Sequence, residues 1–201
     1  RHLSGLAWAF AKLGTVDEDL FRGIADHATP HLRDFSPREL SNLVWSFAVL
    51  NVHEARFLRG AAGLAVVKFA ELNPQDLSNM LWSLAALMMD TTDLFQDGLS
   101  QPIRTLKEFQ PPDLAQLAWA LATLGVDDAL LFRRLAREAR AKLPGFCPQE
   151  LSNTAWAFAR VAAREPALLR AIAEAAAAKL GAFSPQALAN TAWAFAACRA
   201  R

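Results

Sequence analysis

The sequence predicts an all-α protein, a right-handed α-solenoid of about five and a half helical hairpins that repeat every 37 residues. The six tryptophans are spaced by 37 residues without insertion or deletion: Trp8, Trp45, Trp82, Trp119, Trp156 and Trp193. A leucine stands five residues before each tryptophan and an alanine three residues after it. A fixed period of this size is typical of arrays in which each unit buries its apolar face against the next.

The segment around each tryptophan is predicted to be the first helix of a hairpin. Apolar residues at offsets −5, −2, −1, +2 and +3 lie on one face when successive residues turn by roughly 100°. Five of these helices have a proline eight residues before the tryptophan, a type that suits the first helical position: Pro37, Pro74, Pro111, Pro148 and Pro185. Ser and Asn precede three of the prolines as good caps, whereas Gln110 and Cys147 are poor ones.

A second helix is predicted to begin about twelve residues after each tryptophan, at apolar pairs such as Leu94-Phe95. Gly14 and Gly125 are expected to end first helices. Pro30 and Pro102 are expected to kink or shorten the second helices that contain them.

The repeat units lie at about 1–34, 35–71, 72–108, 109–145, 146–182 and 183–201 in one domain, 1–201. The chain begins without Met and stops within the pattern, so we expect a fragment of a longer protein.

Composition and motifs argue against several classes of protein. Lys plus Arg is 21 and Asp plus Glu is 20, so the net charge of +1 predicts no strong global attraction to nucleic acid. Two cysteines make no disulfide framework, and no apolar run is long enough to span a membrane. No glycine-rich phosphate loop, catalytic constellation or zinc spacing is found, and His27 with His31 is interpreted as a surface pair. We therefore expect no enzyme, no cofactor and no metal.

Three phrases carry a family resemblance: "FSPQALANTAWAFA" (183–196), "FSPRELSNLVWSFA" (35–48) and "FCPQELSNTAWAFA" (146–159). They resemble the heptatricopeptide and octotricopeptide repeat proteins, which are helical-hairpin proteins of organellar RNA metabolism with relatives in kinetoplastid RNA-editing substrate-binding complexes. The resemblance implies an RNA-related function. Many members also carry a RAP domain, which is not visible in these residues.

The tryptophans have two interpretations. A row of indoles is able to stack on the bases of a single strand, each stacked base contributing roughly 1–3 kcal/mol. Alternatively, the indoles pack between neighbouring repeats as part of the structural core, which we favour because each lies about 120° from the centre of its apolar face.

A polar stripe on the first helices is the first candidate RNA-binding surface. Amide side chains recur three residues before the tryptophan, and Arg or Gln recurs seven residues before it. Amides suit base edges, but the near-constant amide column also fits a structural ladder between stacked helices. The candidate stripe comprises Arg38, Asn42, Gln75, Asn79, Gln116, Gln149, Asn153 and Asn190.

A basic ridge on the second helices is the other candidate. Arginine recurs fourteen residues after the tryptophan and lysine twenty-three residues after it, which stacking would align to follow phosphates. The same residues would equally suit a solvated helix face. The ridge comprises Arg22, Arg59, Arg133, Arg170, Lys68, Lys142 and Lys179.

The family resemblance implies an RNA-binding repeat protein of an organelle, acting in RNA processing or stability or binding rRNA in a mitochondrial or plastid ribosome. The partners would be single-stranded RNA or rRNA and other proteins of a ribonucleoprotein assembly. The alternative is a scaffold that binds proteins without contacting RNA. We expect a mitochondrial location, with the plastid as the alternative.

Overall fold

The computed structural model of the chain describes residues 2–68, 71–90 and 106–199. All regular secondary structure in these ranges is helical, which confirms the predicted all-α class. The chain divides into two compact units, Arg1–Asp97 and Gly98–Arg201, and each is described by itself. The assignment of residues 1–201 to one domain remains a prediction.

Unit 1 contains three first helices that stack in order, as expected of helical repeats. These are α1 (His2–Leu13), α3 (Pro37–Val49) and α5 (Pro74–Ala86). Its second helices are α2 (Glu18–Ala28) and α4 (Ala55–Lys68). The predicted second helix of the third repeat, with Pro102 and the Leu94-Phe95 pair, lies outside the described residues.

Unit 2 repeats the same arrangement. Its first helices are α6 (Pro111–Thr123), α8 (Pro148–Arg160) and α10 (Pro185–Arg199), with α8 packed between the other two. The second helices are α7 (Ala129–Lys142) and α9 (Pro166–Ala178). In both units the first helices pack most extensively on one another, so the face that they leave exposed is continuous within a unit.

All first helices except α1 begin at the predicted prolines. In α3, α6 and α8 a carboxylate in the first turn accepts the backbone N–H of the cap residue. The backbone N–H of Ser36 donates to Glu39 at 2.9 Å, and the Ser36 hydroxyl accepts from the backbone of Glu39 at 3.3 Å. Cys147, predicted to be a poor cap, donates its backbone N–H to Glu150 at 2.7 Å. The acid at position −6 therefore satisfies the helix start where the cap side chain is unsuited to do so.

Proline shortens the second helix of the first repeat, as predicted. Helix α2 ends at Ala28, and Pro30 lies in the 3-10 segment Thr29–Asp34 that follows. Similar 3-10 turns lead into later repeats, each ending at a buried phenylalanine such as Phe146, whose N–H donates to Leu143 at 3.0 Å. These turns bring the chain back to the start of the next first helix.

The core lies where the predicted apolar face meets the second helices and the neighbouring first helices. Phe47 is fully buried, with ring centroids 4.9 Å from Phe21 and 4.8 Å from Phe57. Buried hydroxyls add specific bonds between repeats, since Ser41 donates to the backbone oxygen of Asp76 at 2.8 Å and Ser152 to that of Ala187 at 3.0 Å. Apolar burial and these bonds together set the stagger of adjacent first helices.

The residue six positions after the tryptophan has positive φ in five repeats. Gly14 and Gly125, the predicted C-caps, have φ of 65° and 71°, which confirms them. The same position holds non-glycine residues in three repeats, namely Asn51, Met88 and Ala162, with φ of 54°, 50° and 55°. An L-residue other than Asn is strained in this left-handed region.

We expect Ala162→Gly to stabilise unit 2 by about 0.5–1 kcal/mol, because glycine relieves the left-handed strain. Ala173→Gly is the matched control, since Ala173 is an exposed residue inside α9, where glycine should cost about 1 kcal/mol. Urea unfolding followed by circular dichroism measures both changes. The same sign for both substitutions would contradict the proposed strain at Ala162.

Candidate functional site

An open groove of about 750 Å³ runs across the first helices of unit 1. Helices α1, α3 and α5 contribute its walls, because the residues at corresponding positions of successive repeats lie side by side. The groove brings together Arg38, Asn42, Gln75 and Asn79 of the predicted polar stripe. The amide column therefore lies in a concave surface, where its side chains are half-buried.

Two indoles form part of the same groove. Trp8 is 43% exposed and Trp45 is half-buried, and both line the surface that the amides occupy. Both indoles are thus accessible from the groove, and their packing between repeats remains a prediction. An indole with one accessible surface, placed beside amides, is suited to stack on a planar ring.

Lys12 lies over both of these indoles. Its Nζ is 5.5 Å from the Trp8 ring centroid and 5.2 Å from that of Trp45. Both distances fall within the range of a cation–π contact, which contributes about 0.5–1 kcal/mol at an exposed site. The lysine is four residues after its tryptophan, a position that the sequence varies between repeats, as Lys12, Val49, Ala86, Thr123, Arg160 and Ala197.

Two carboxylates at the groove have pKa values shifted in opposite directions. The backbone N–H of Ser36, followed by its hydroxyl, lowers the pKa of Glu39. Burial raises the pKa of Asp76, against the opposing effects of the Arg38 charge and the Asn73 amide. The ionised Glu39 carboxylate therefore stabilises the fold at pH values above the pKa that this group has in the unfolded chain. That stabilisation is lost as the pH falls through the lower pKa of the folded state. Asp76 stabilises the fold below its unfolded pKa and loses that contribution as pH rises through its folded pKa.

In unit 2 the tryptophans form a ladder along the first helices. The ring centroids of Trp119 and Trp156 are 6.3 Å apart, and those of Trp156 and Trp193 are 6.4 Å apart. Trp193 is 47% exposed. One helical turn away, Gln149 Nε2 donates to Asn153 Oδ1 at 2.8 Å, which couples two members of the predicted stripe. Gln116 and Asn190 are half-buried at the equivalent position of α6 and α10.

The arginines of the predicted ridge are exposed on the second helices and do not line the groove. Arg22 and Arg59 belong to unit 1, and Arg133 and Arg170 belong to unit 2. Arg22 bonds to Asp19 at 3.2 Å, and Arg133 lies 4.0 Å from Glu165. These carboxylates offset part of the positive charge that the ridge was expected to present.

The lysines of the ridge donate to backbone carbonyls in the segments that lead into the first helices of their hairpins. Lys142 Nζ bonds to the carbonyls of Lys107 at 2.6 Å and Phe109 at 2.5 Å. Lys179 repeats the arrangement with Pro144 at 3.2 Å and Phe146 at 2.5 Å. Lys68 Nζ donates to the Phe35 carbonyl at 3.3 Å. Each lysine thus joins the end of a second helix to the phenylalanine two residues before the first helix of the same hairpin. RNA contact at these positions remains a prediction.

Neither a metal site nor a membrane span is found in the part of the chain that the structure describes. Those residues include no group of three or more His, Cys, Asp or Glu side chains placed to hold a metal ion. His27 and His31 lie with ring centroids 5.6 Å apart, and His31 faces Asp34 at 3.4 Å. None of the described helices combines the length and the apolar character that crossing a membrane requires.

Comparison with known proteins gives one family match. The family described as RNA-editing substrate-binding complex 6 protein matches residues 64–201, which is more than half of the chain. The match begins within α4 and continues through all the helices of unit 2. No match to the chain is found among curated proteins.

Proposed function

Because the chain belongs to the RNA-editing substrate-binding complex 6 protein family, we propose that it is a subunit of such a complex and binds single-stranded RNA along its first helices. We propose that the complex acts in RNA processing in the mitochondrion. The family match lends no support to the plastid and ribosomal alternatives. The finer assignment to the heptatricopeptide or octotricopeptide class rests on the repeat phrases alone.

The observation that carries RNA binding is the combination of half-exposed indoles with a column of amides in one groove. Stacking a base on an aromatic ring contributes roughly 1–3 kcal/mol and tolerates any base. This exceeds the cation–π contact of about 0.5–1 kcal/mol that Lys12 makes with the same indoles. Amide groups are able to donate to and accept from the edge of a stacked base. Such a surface suits RNA without requiring a strongly basic protein.

Charge balance favours a second candidate, a scaffold that binds a protein segment. The groove contains Lys12 and Arg38 together with Glu39 and Asp76, so its formal charges cancel. A groove of this kind offers little long-range attraction for a polyanion. Extended peptides also satisfy their backbone groups on amide side chains, which makes the same column suitable for them.

The double substitution Asn42→Ala with Asn79→Ala tests the RNA assignment. We expect affinity for a short labelled oligouridylate to fall about tenfold, because each lost hydrogen bond contributes roughly 0.5–1.5 kcal/mol. Fluorescence anisotropy at low salt measures the affinity. Far-UV circular dichroism checks that helicity is unchanged.

Arg22→Gln with Arg59→Gln is the matched control, since it removes two exposed positive charges from the second helices of the same unit. Affinity lost only in this control would assign RNA to the basic ridge instead of the groove. If the unsubstituted chain bound no oligonucleotide and instead bound a peptide from another subunit of the complex, the scaffold candidate would replace RNA binding.

A further inference from the structure

We propose that the interval between Trp8 and Trp45 is a nucleotide subsite, in which a base stacks on the indoles and the Lys12 ammonium pairs with the phosphate of that nucleotide. This subsite rests on the proposed binding of RNA along the first helices. It adds a location, a stoichiometry of one phosphate and a specific role for Lys12.

The position of Lys12 is the first observation. Its ammonium lies 5.5 Å and 5.2 Å from two ring centroids that belong to successive repeats. A single cation therefore covers indole surface on both α1 and α3. Because the contact with an exposed ring is weaker than base stacking, an incoming base displaces the ammonium from the indoles.

Once a base displaces Lys12 from the indoles, its positive charge is available to pair with a phosphate. Within the described residues, its ammonium has cation–π contacts and no carboxylate at salt-bridge distance. Arg38, the other cation of the groove, acts on the Asp76 carboxyl and so has part of its charge offset. Lys12 is exposed on a long side chain, and a lysine acts on phosphate as a compact point charge.

The groove also supplies the remaining contacts that a nucleotide needs. Asn42 lies on α3, three residues before Trp45, and shares the groove with Lys12. We expect its amide to meet the edge of a base stacked on the adjacent indole. The open volume of about 750 Å³ leaves space for the base and its sugar.

Salt dependence separates a phosphate contact from a packing role. The logarithm of the affinity for a single strand falls with the logarithm of salt concentration by about 0.7 for each phosphate contacted. We therefore expect Lys12→Met to reduce the magnitude of this slope by about 0.7 for a labelled oligouridylate. Methionine keeps an unbranched apolar stem over the indoles, so lost packing does not account for the change.

Arg33→Met is the control, since it removes one exposed cation of unit 1 outside the groove. We expect it to leave the slope unchanged, and Lys12→Arg to retain the full slope. A Lys12→Met chain that binds RNA with the unsubstituted slope would overturn the subsite and leave the proposed function standing. Absence of oligonucleotide binding by the unsubstituted chain would overturn both.

Discussion

Replacing Phe47 with alanine should reduce the free energy of unfolding by about 3–5 kcal/mol, because the ring is fully buried and the surrounding core fills the resulting cavity only in part. The ring contacts Phe21 of the preceding repeat and Phe57 of its own second helix, so one substitution loosens two hairpins. In a repeat array, stability depends on such contacts between neighbours. Urea unfolding monitored by circular dichroism measures the loss.

Val49→Ala is the control for this substitution. Val49 is at the end of the same helix and is 39% exposed, so its truncation should change the stability by no more than about 0.5 kcal/mol. Hydrogen exchange should show increased opening of α2, α3 and α4 in the Phe47 variant. A loss below about 1 kcal/mol for Phe47→Ala would mean that these helices are not held together by the aromatic contact.

The local structure was predictable because it depends on residues close in sequence. Proline at the first helical position, the acid three residues after the cap and the glycine at positive φ act within a few residues of one another. The spacing around each tryptophan then determines which face is buried. The left-handed conformation at Ala162 was not predictable from its residue type, because only comparison with Gly14 and Gly125 indicates it.

The candidate site was only partly predictable, because the sequence pattern places residues around one helix and not across neighbouring helices. A helical wheel places Trp45 and Asn42 by angle, but it contains no distance between successive helices, so it does not reveal a groove. It likewise gives no indication that Lys12 reaches the indole of the next repeat. The varying residue four positions after the tryptophan was the available signal, and its role needed the stacked geometry.

The lysines of the ridge show most clearly that residue type alone does not identify a side chain's partner. A lysine near the end of a helix matches both a phosphate contact and a favourable charge at the helix C-terminus. Its partners here are backbone carbonyls, which no residue type identifies, and they lie up to 35 residues earlier in the chain. Recurrence of the bond at Lys68, Lys142 and Lys179 indicates that it is part of the repeat.

Substituting Lys142 by methionine should therefore lower the stability of unit 2 by about 2 kcal/mol. The ammonium donates to two carbonyls, and hydrogen bonds that involve a charged group contribute about 1.5–3 kcal/mol each when buried, less at this partly exposed site. Arg140→Met is the control, because Arg140 is exposed two residues earlier on α7 and its loss should change the stability by about 0.5 kcal/mol or less. Urea unfolding measures the stability of each variant, and anisotropy measures its affinity for RNA. Unchanged stability together with a salt slope reduced by about 0.7 would instead assign Lys142 to a phosphate, as the sequence alone suggested.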